Sequence, residues 1–285
     1  MVYFCADDYG ISEESNRRIE ECLDCGAFKK ISVLPNGEIE NFTERLSGSD
    51  IALHLNLVEG RPLSKPEEIR LLVNKKGFFK YSFLGLFALS LSRKRKLFEK
   101  HLYKEIQSQI KFWEKTMGEC GKCILIDSHQ HTHMIPLVFK TLVRVIEDEK
   151  VNVDSLRIPA EPLLPYIFTP SLYRDYSLKG FVKQWILKGL AVINRKEFKK
   201  LKIDSAYFMG VMLSGKLEEK KIKKLLPHYL KIAEKRGKDI EIGFHPGYLK
   251  EGEKLAEGLR KDFEKFYFSS WREVEYNTVK NFKFE

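Results

Sequence analysis

Residues 127–136, DSHQHTHMIP, place one aspartate and three histidines within seven positions of a chain that has seven histidines in all. Imidazole and carboxylate at that density suit a divalent ion or proton transfer near neutral pH. Three other short stretches carry the same residue types. VYFCADDYG (2–10) delivers Asp7 and Asp8 at the end of an apolar run, IALHLNL (51–57) contains His54 and Asn56, and DIEIGFHPG (239–247) leads into His245.

Asp8, His54 and one histidine of 129–133 make a carboxylate and two imidazoles, a set that leaves coordination positions open for water and substrate. Adjacent Asp7 and Asp8 on an extended backbone point opposite ways, so one can hold an ion while the other takes a proton from attacking water. Within DSHQHTH, extended backbone sets His129, His131 and His133 on one side, whereas a helix pairs only His129 with His133. Pro246 and Gly247 turn the chain directly after His245 and hold its imidazole at a strand end, as a general acid or oxyanion stabiliser requires. Arg157 in SLRIPAEP points away from Leu156 and Ile158, either towards a pocket where it would bind substrate oxygens or into a surface position or salt bridge. Asn56, on the face of His54, and His133 are further candidate substrate contacts.

Elements able to position these groups alternate in the manner of βα units. Candidate strands are 2–7, 31–35, 51–57, 123–127, 155–159, 206–213 and 239–245, and candidate helices cover 13–27, 97–117, 137–149, 218–236 and 253–268. In IALHLNL, Ile51, Leu53, Leu55 and Leu57 share one face while Ala52, His54 and Asn56 share the other; Glu241, Gly243 and His245 repeat the polar face. Four strands ending in carboxylate or imidazole bring those ends to one rim of a parallel sheet or barrel. Long interruptions at 58–96 and 160–203 follow strands, as the insertions that wall a barrel active site do; surface decoration is the alternative reading. FFKYSFLGLFALSLSRKRK (78–96) has the composition of an interfacial helix without its clean apolar spacing.

Composition narrows the function classes. With 285 residues, 43% hydrophobic and 32% charged, the chain reads as a soluble globular protein. FLGLFALSLS (83–92) is too short to span a bilayer and no secretory signal is visible, so a cytoplasmic protein without a transmembrane segment is expected. The net charge of +10 is spread along helical stretches such as KLEEKKIKKLL (216–226), where lysines alternate with acidic and apolar residues on a solvated face. A basic nucleic-acid or membrane-binding protein without catalysis leaves the strand-end histidines unexplained, and no specific nucleic-acid partner is expected. A metal-dependent phosphoesterase uses similar ligands but needs more of them, for two or three ions. The pairs CLDC (22–25) and CGKC (120–123) lie 94 residues apart, too far for a zinc ribbon, which favours local disulfides or plain thiols.

Taken in order, ADDYGIS…N (6–16), ALHLNLVEGRPLS (52–64), DSHQHTHMIP (127–136) and EIGFHPGY (241–248) resemble the YdjC family of metal-dependent carbohydrate deacetylases, and SSWREVEYNTV (269–279) resembles that family's closing helix. RIPAEP (157–162) is more like the branch associated with hopanoid biosynthesis than the chitooligosaccharide branch. The resemblance implies one domain over 1–285, an irregular (β/α) TIM-like barrel with two insertions after strands, and one divalent ion, Mg²⁺ or Zn²⁺. It implies Asp8, His54 and His129 as metal ligands and Asp7 as catalytic base. The implied reaction is hydrolysis of the N-acetyl group of an amino sugar, in a homodimer. The sequence departs from the family at Tyr9, where phenylalanine is usual, and in a short chain end that leaves the last barrel strand unaccounted for.

Overall fold

A computed structural model describes residues 1–118 and 123–282. Seven strands alternate with helices: β1 (Val2–Tyr9), β2 (Lys30–Val33), β3 (Asp50–Leu55), β4 (Ile124–Ser128), β5 (Val153–Leu156), β6 (Tyr207–Met209) and β7 (Ile240–Phe244). The helices are α1 (Glu13–Asp24), α2 (Phe42–Arg45), α3 (Phe83–Ser90), α4 (Arg95–Met117), α5 (Pro136–Asp148), α6 (Leu164–Ile167), α7 (Leu178–Lys200), α8 (Glu219–Glu234), α9 (Lys261–Tyr267) and α10 (Ser270–Asn281). All strand pairings are parallel, in the order β5-β4-β3-β2-β1-β7-β6.

The sheet curls into a half-barrel. Its edge strands do not pair along their length as the expected TIM-like closure requires; a single parallel bridge, Ser155 to Asp204, joins the two edges. The edge strands are also short, β5 with four residues and β6 with three.

Side-chain alternation explains both faces of the sheet. Phe4, Ile31, Leu53, Ile126, Ile242 and Phe244 are buried in the main apolar core with the helices. The opposite face carries Cys5, Asp7, Lys30, Ser32, His54, Asp127 and Glu241, all buried. Strand register aligns them, with Cys5 opposite Lys30 and Gly243, and His54 opposite Asp127. The interior of the half-barrel is therefore a polar network, and apolar packing holds it from outside.

Local signals set the helix ends. The Ser12 hydroxyl caps α1 by accepting from the Ser15 N–H at 3.2 Å, and Pro136 opens α5. The 23-residue α7 lies inside the interruption at 160–203, where the sequence pattern predicts no helix. Its apolar residues are spread around the whole helix, so no single apolar face signals it. The stretch 253–268 is mostly irregular, with α9 at its end, and α10 follows it. Cys22, Cys25 and Cys123 are free thiols, so CLDC forms no disulfide; Cys120 lies outside the described residues. Among the described residues no helix is long and apolar enough to cross a membrane.

Candidate metal centre

A register shift in β1 between Ala6 and Tyr9 separates the two aspartates. Asp8 has φ +71°, a left-handed conformation that costs a non-glycine residue about 1–3 kcal/mol unless neighbours hold it. Here they do. Asp8 Oδ1 lies 2.8 Å from His129 Nδ1 and 3.4 Å from His54 Nε2, and Oδ2 forms an ion pair with Arg272 from α10. The three prospective ligand atoms lie within 4.8 Å of one another and are buried. Burial alone would raise the Asp8 carboxyl, but His129 and Arg272 outweigh it and hold it well below the usual carboxylate range.

The far nitrogen of each imidazole is braced by a buried carboxylate. His54 Nδ1–H donates to Asp127 Oδ1 at 2.6 Å, and the Ser32 hydroxyl donates to Asp127 Oδ2 at 2.6 Å. His129 Nε2–H donates to Glu59 Oε2 at 3.1 Å, which also accepts from the Tyr267 hydroxyl at 2.6 Å. Against the cost of burial, Asp8 raises the His129 pKa to about 10, so that ring is protonated at neutral pH and any cation it binds must displace the Nδ1 proton. Two histidines converging on one aspartate, each oriented by a carboxylate behind it, is a donor arrangement able to hold a divalent ion. Glu59, Tyr267 and Arg272 are not legible in the sequence as site residues, and Asp127 is legible as a strand-end carboxylate but not as the partner of His54. The acid in NLVEG was the one available signal, three residues beyond Asn56. Glu59→Gln is expected to weaken Zn²⁺ or Mg²⁺ affinity about 10- to 100-fold, measured by isothermal titration calorimetry; unchanged affinity would remove Glu59 from the centre.

Below this cluster lies the ion network of the sheet interior. Arg157 grips Asp7 with both terminal nitrogens, Nη1 to Oδ2 at 2.7 Å and Nη2 to Oδ1 at 2.9 Å. The same guanidinium reaches Asp127 Oδ2 at 2.9 Å and Glu241 Oε1 at 2.7 Å from Nε. Lys30 lies 2.8 Å from Glu241 and 3.5 Å from Asp127. Burial pushes the Asp7 carboxyl up, yet Arg157 prevails and keeps it below the ordinary value. The expectation that Arg157 binds substrate is corrected here: it is only 3% exposed and its donors are committed to three carboxylates.

The stretch 129–134 is neither extended nor α-helical. Gln130 and His131 both adopt left-handed backbone angles, φ +55° and +57°, so the three histidines diverge. His129 faces Asp8. His131 is buried edge-on to Phe208, its Nδ1 unpartnered, and burial drives its pKa well down. His133 turns back, Nε2–H donating to the Arg157 carbonyl at 2.8 Å while Nδ1 accepts from the Ser128 hydroxyl at 2.5 Å. Burial lowers its pKa to about 4, so it is neutral in that tautomer. With both nitrogens used, His133 has nothing left for a substrate. Asn56 is corrected likewise: its amide donates to Asn36 and the Glu59 carbonyl, and its oxygen accepts from the Val58 and Glu59 N–H groups. Asn56 instead shapes the turn that presents Glu59.

The YdjC-like protein family profile matches residues 1–285. The chain belongs to the YdjC-like family. Curated relatives named carbohydrate deacetylase include proteins from Danio rerio (29% identity over 193 residues, 66% of this chain and 59% of the relative) and Xenopus laevis (27% over 165 residues, 54% and 49%). Another is from Thermoanaerobacter pseudethanolicus (32% over 82 residues, 27% and 33%). The matched region thus spans about a third to three fifths of those relatives' length. A crystal structure of a candidate cellobiose-phosphate cleavage protein from Enterococcus faecalis shares the fold, with TM-score 0.62 and 14% identity, over 96% of this chain and 90% of that one.

In this YdjC-like protein, α10 holds the last predicted site residue. Glu275 accepts from the His245 backbone N–H at 2.7 Å, and its carboxylate lies 3.5 Å from Nδ1 of that ring. The turn after His245 is clamped from two sides, with the Gly247 carbonyl accepting from Ser15 Oγ and from Arg272 Nη1, each at 3.1 Å. A Cβ on Gly247 would lie 2.1 Å from Ser15 Oγ, so any other residue would have to displace the hydroxyl that clamps the turn. The His245 side chain is 20% exposed, against 2% for His54 and 5% for His129. Of these three it alone has substantial access to a substrate.

Proposed function

We propose that this protein hydrolyses the N-acetyl group of an N-acetylated amino sugar or glycoconjugate and releases acetate, using one divalent ion bound by Asp8, His54 and His129. The observation that carries this reading is the convergence of two carboxylate-braced imidazoles on Asp8, in a family whose curated relatives are named carbohydrate deacetylases. Mg²⁺ or Zn²⁺ there would supply Lewis acidity to the acetyl carbonyl and acidify nearby water. Asp7, beside His54 and oriented by Arg157, accepts the proton of the attacking water. As water oxygen bonds to the acetyl carbon and the C–N bond breaks, His245 donates a proton to the departing nitrogen. The products are acetate and the free amino sugar.

A second ion, as many phosphoesterases use, finds no separate ligand set among the described residues. The other candidate groupings, Cys5–Asp127–Glu241 and Asp7–His54–Asp127, draw on carboxylates already paired with Arg157 or Lys30. A screen of N-acetylated mono- and oligosaccharides for acetate release, with and without EDTA, tests the proposal. Acetate release abolished by chelator and restored by Mg²⁺ or Zn²⁺ is the expected result. Phosphate release from sugar phosphates without any acetate release would overturn it.

A further inference from the structure

Helix α7 turns apolar side chains outward. Gly180, Gln184, Leu187, Leu190 and Asn194 are buried, while Leu178 (79%), Trp185 (51%) and Val192 (70%) are exposed. Val182 and Ile186, also exposed, continue the same stripe at helical spacing. A continuous apolar stripe on a surface marks a contact with something apolar. Leu84 of α3, 69% exposed, lies alongside it. Leu84, Leu178, Val182 and Ile186 line an open groove of about 580 Å³. Gln130 also lines that groove, and its amide nitrogen is 3.4 Å from His129 Nε2, so groove and candidate metal centre share a wall.

Charge selects the occupant. From Leu178 to Lys196 the chain carries Lys179, Lys183, Lys188, Arg195 and Lys196 and no acidic residue. Residues 82–96, which include α3, end in Arg93, Lys94, Arg95 and Lys96, again without an acid. Two copies of this face would oppose lysine to lysine, and the one acidic residue of α7, Glu197, is already paired with Lys200. A homodimer implied by the family resemblance would use another surface. Apolar residues interleaved with lysines, with a tryptophan among them, complement an anionic bilayer: the acyl region takes the aliphatic side chains and the headgroups take the ammonium groups. We propose that the α3–α7 face docks peripherally on an anionic lipid surface, with the groove beside the candidate metal centre opening towards the lipid.

Co-sedimentation of the full chain with large unilamellar vesicles tests this. The protein is expected to sediment with phosphatidylcholine–phosphatidylglycerol vesicles, to stay in solution with pure phosphatidylcholine, and to be released as NaCl is raised. The double variant Val182→Glu/Ile186→Glu should lower partitioning at least about tenfold, with circular dichroism and melting temperature unchanged because both residues are solvent-exposed. Lys179→Glu/Lys188→Glu should remove the preference for phosphatidylglycerol. Wild type left in the supernatant with anionic vesicles would overturn the proposal, as would variants that partition like wild type. So would light scattering that shows a wild-type dimer split by Val182→Glu/Ile186→Glu.

Discussion

Replacing Asp7 with asparagine is expected to lower kcat/KM for deacetylation about 10²- to 10⁴-fold while leaving one equivalent of bound metal. The separation follows from geometry. Asp8, not Asp7, meets the two histidines, and Asp7 is held instead by the Arg157 fork. Asparagine preserves the shape of the side chain and removes its capacity to accept a proton. Asp8→Ala, His54→Ala and His129→Ala should differ in kind, losing metal and turnover together. Metal content by plasma emission spectroscopy, set beside acetate release, distinguishes the two patterns. Turnover by Asp7→Asn within a factor of three of wild type would mean that the proton goes elsewhere.

Arg157→Met should destabilise the fold by about 3–5 kcal/mol, the usual cost of removing one partner from a buried ionic cluster. The substitution leaves Asp7, Asp127 and Glu241 in the sheet interior with Lys30 as the remaining cation in contact, and Lys30 reaches only the latter two. For a chain of this size that corresponds to a melting temperature lower by about 10 °C. Arg157→Lys should recover part of the loss, because an ammonium restores charge but cannot grip both Asp7 oxygens. A midpoint for Arg157→Met within about 1 °C of wild type would show that the cluster contributes little.

Residue pattern alone was enough to bring Asp8, His54 and one histidine of 129–133 together; the choice of His129 came from the family resemblance. Side-chain alternation is a local property of an extended chain, and a βα rhythm makes the strands parallel, so polar strand ends had to share a rim. The outward apolar faces of β3 and β7 were legible for the same reason. Second partners were not. Asp127 behind His54, Glu59 and Tyr267 behind His129, and Arg272 on Asp8 come from segments far apart in sequence. Their meeting depends on inter-strand register and on where α9 and α10 fold back. Arg157, Asn56 and His133 were expected to face substrate because burial is a tertiary property; only packed neighbours reveal that their polar atoms are already taken. The histidine turn was undecidable between strand and helix because it is neither: left-handed angles at Gln130 and His131 persist only where surrounding structure enforces them. Helix α7 stayed hidden because its outward residues are as apolar as its inward ones, and the half-barrel alone determines which side is buried.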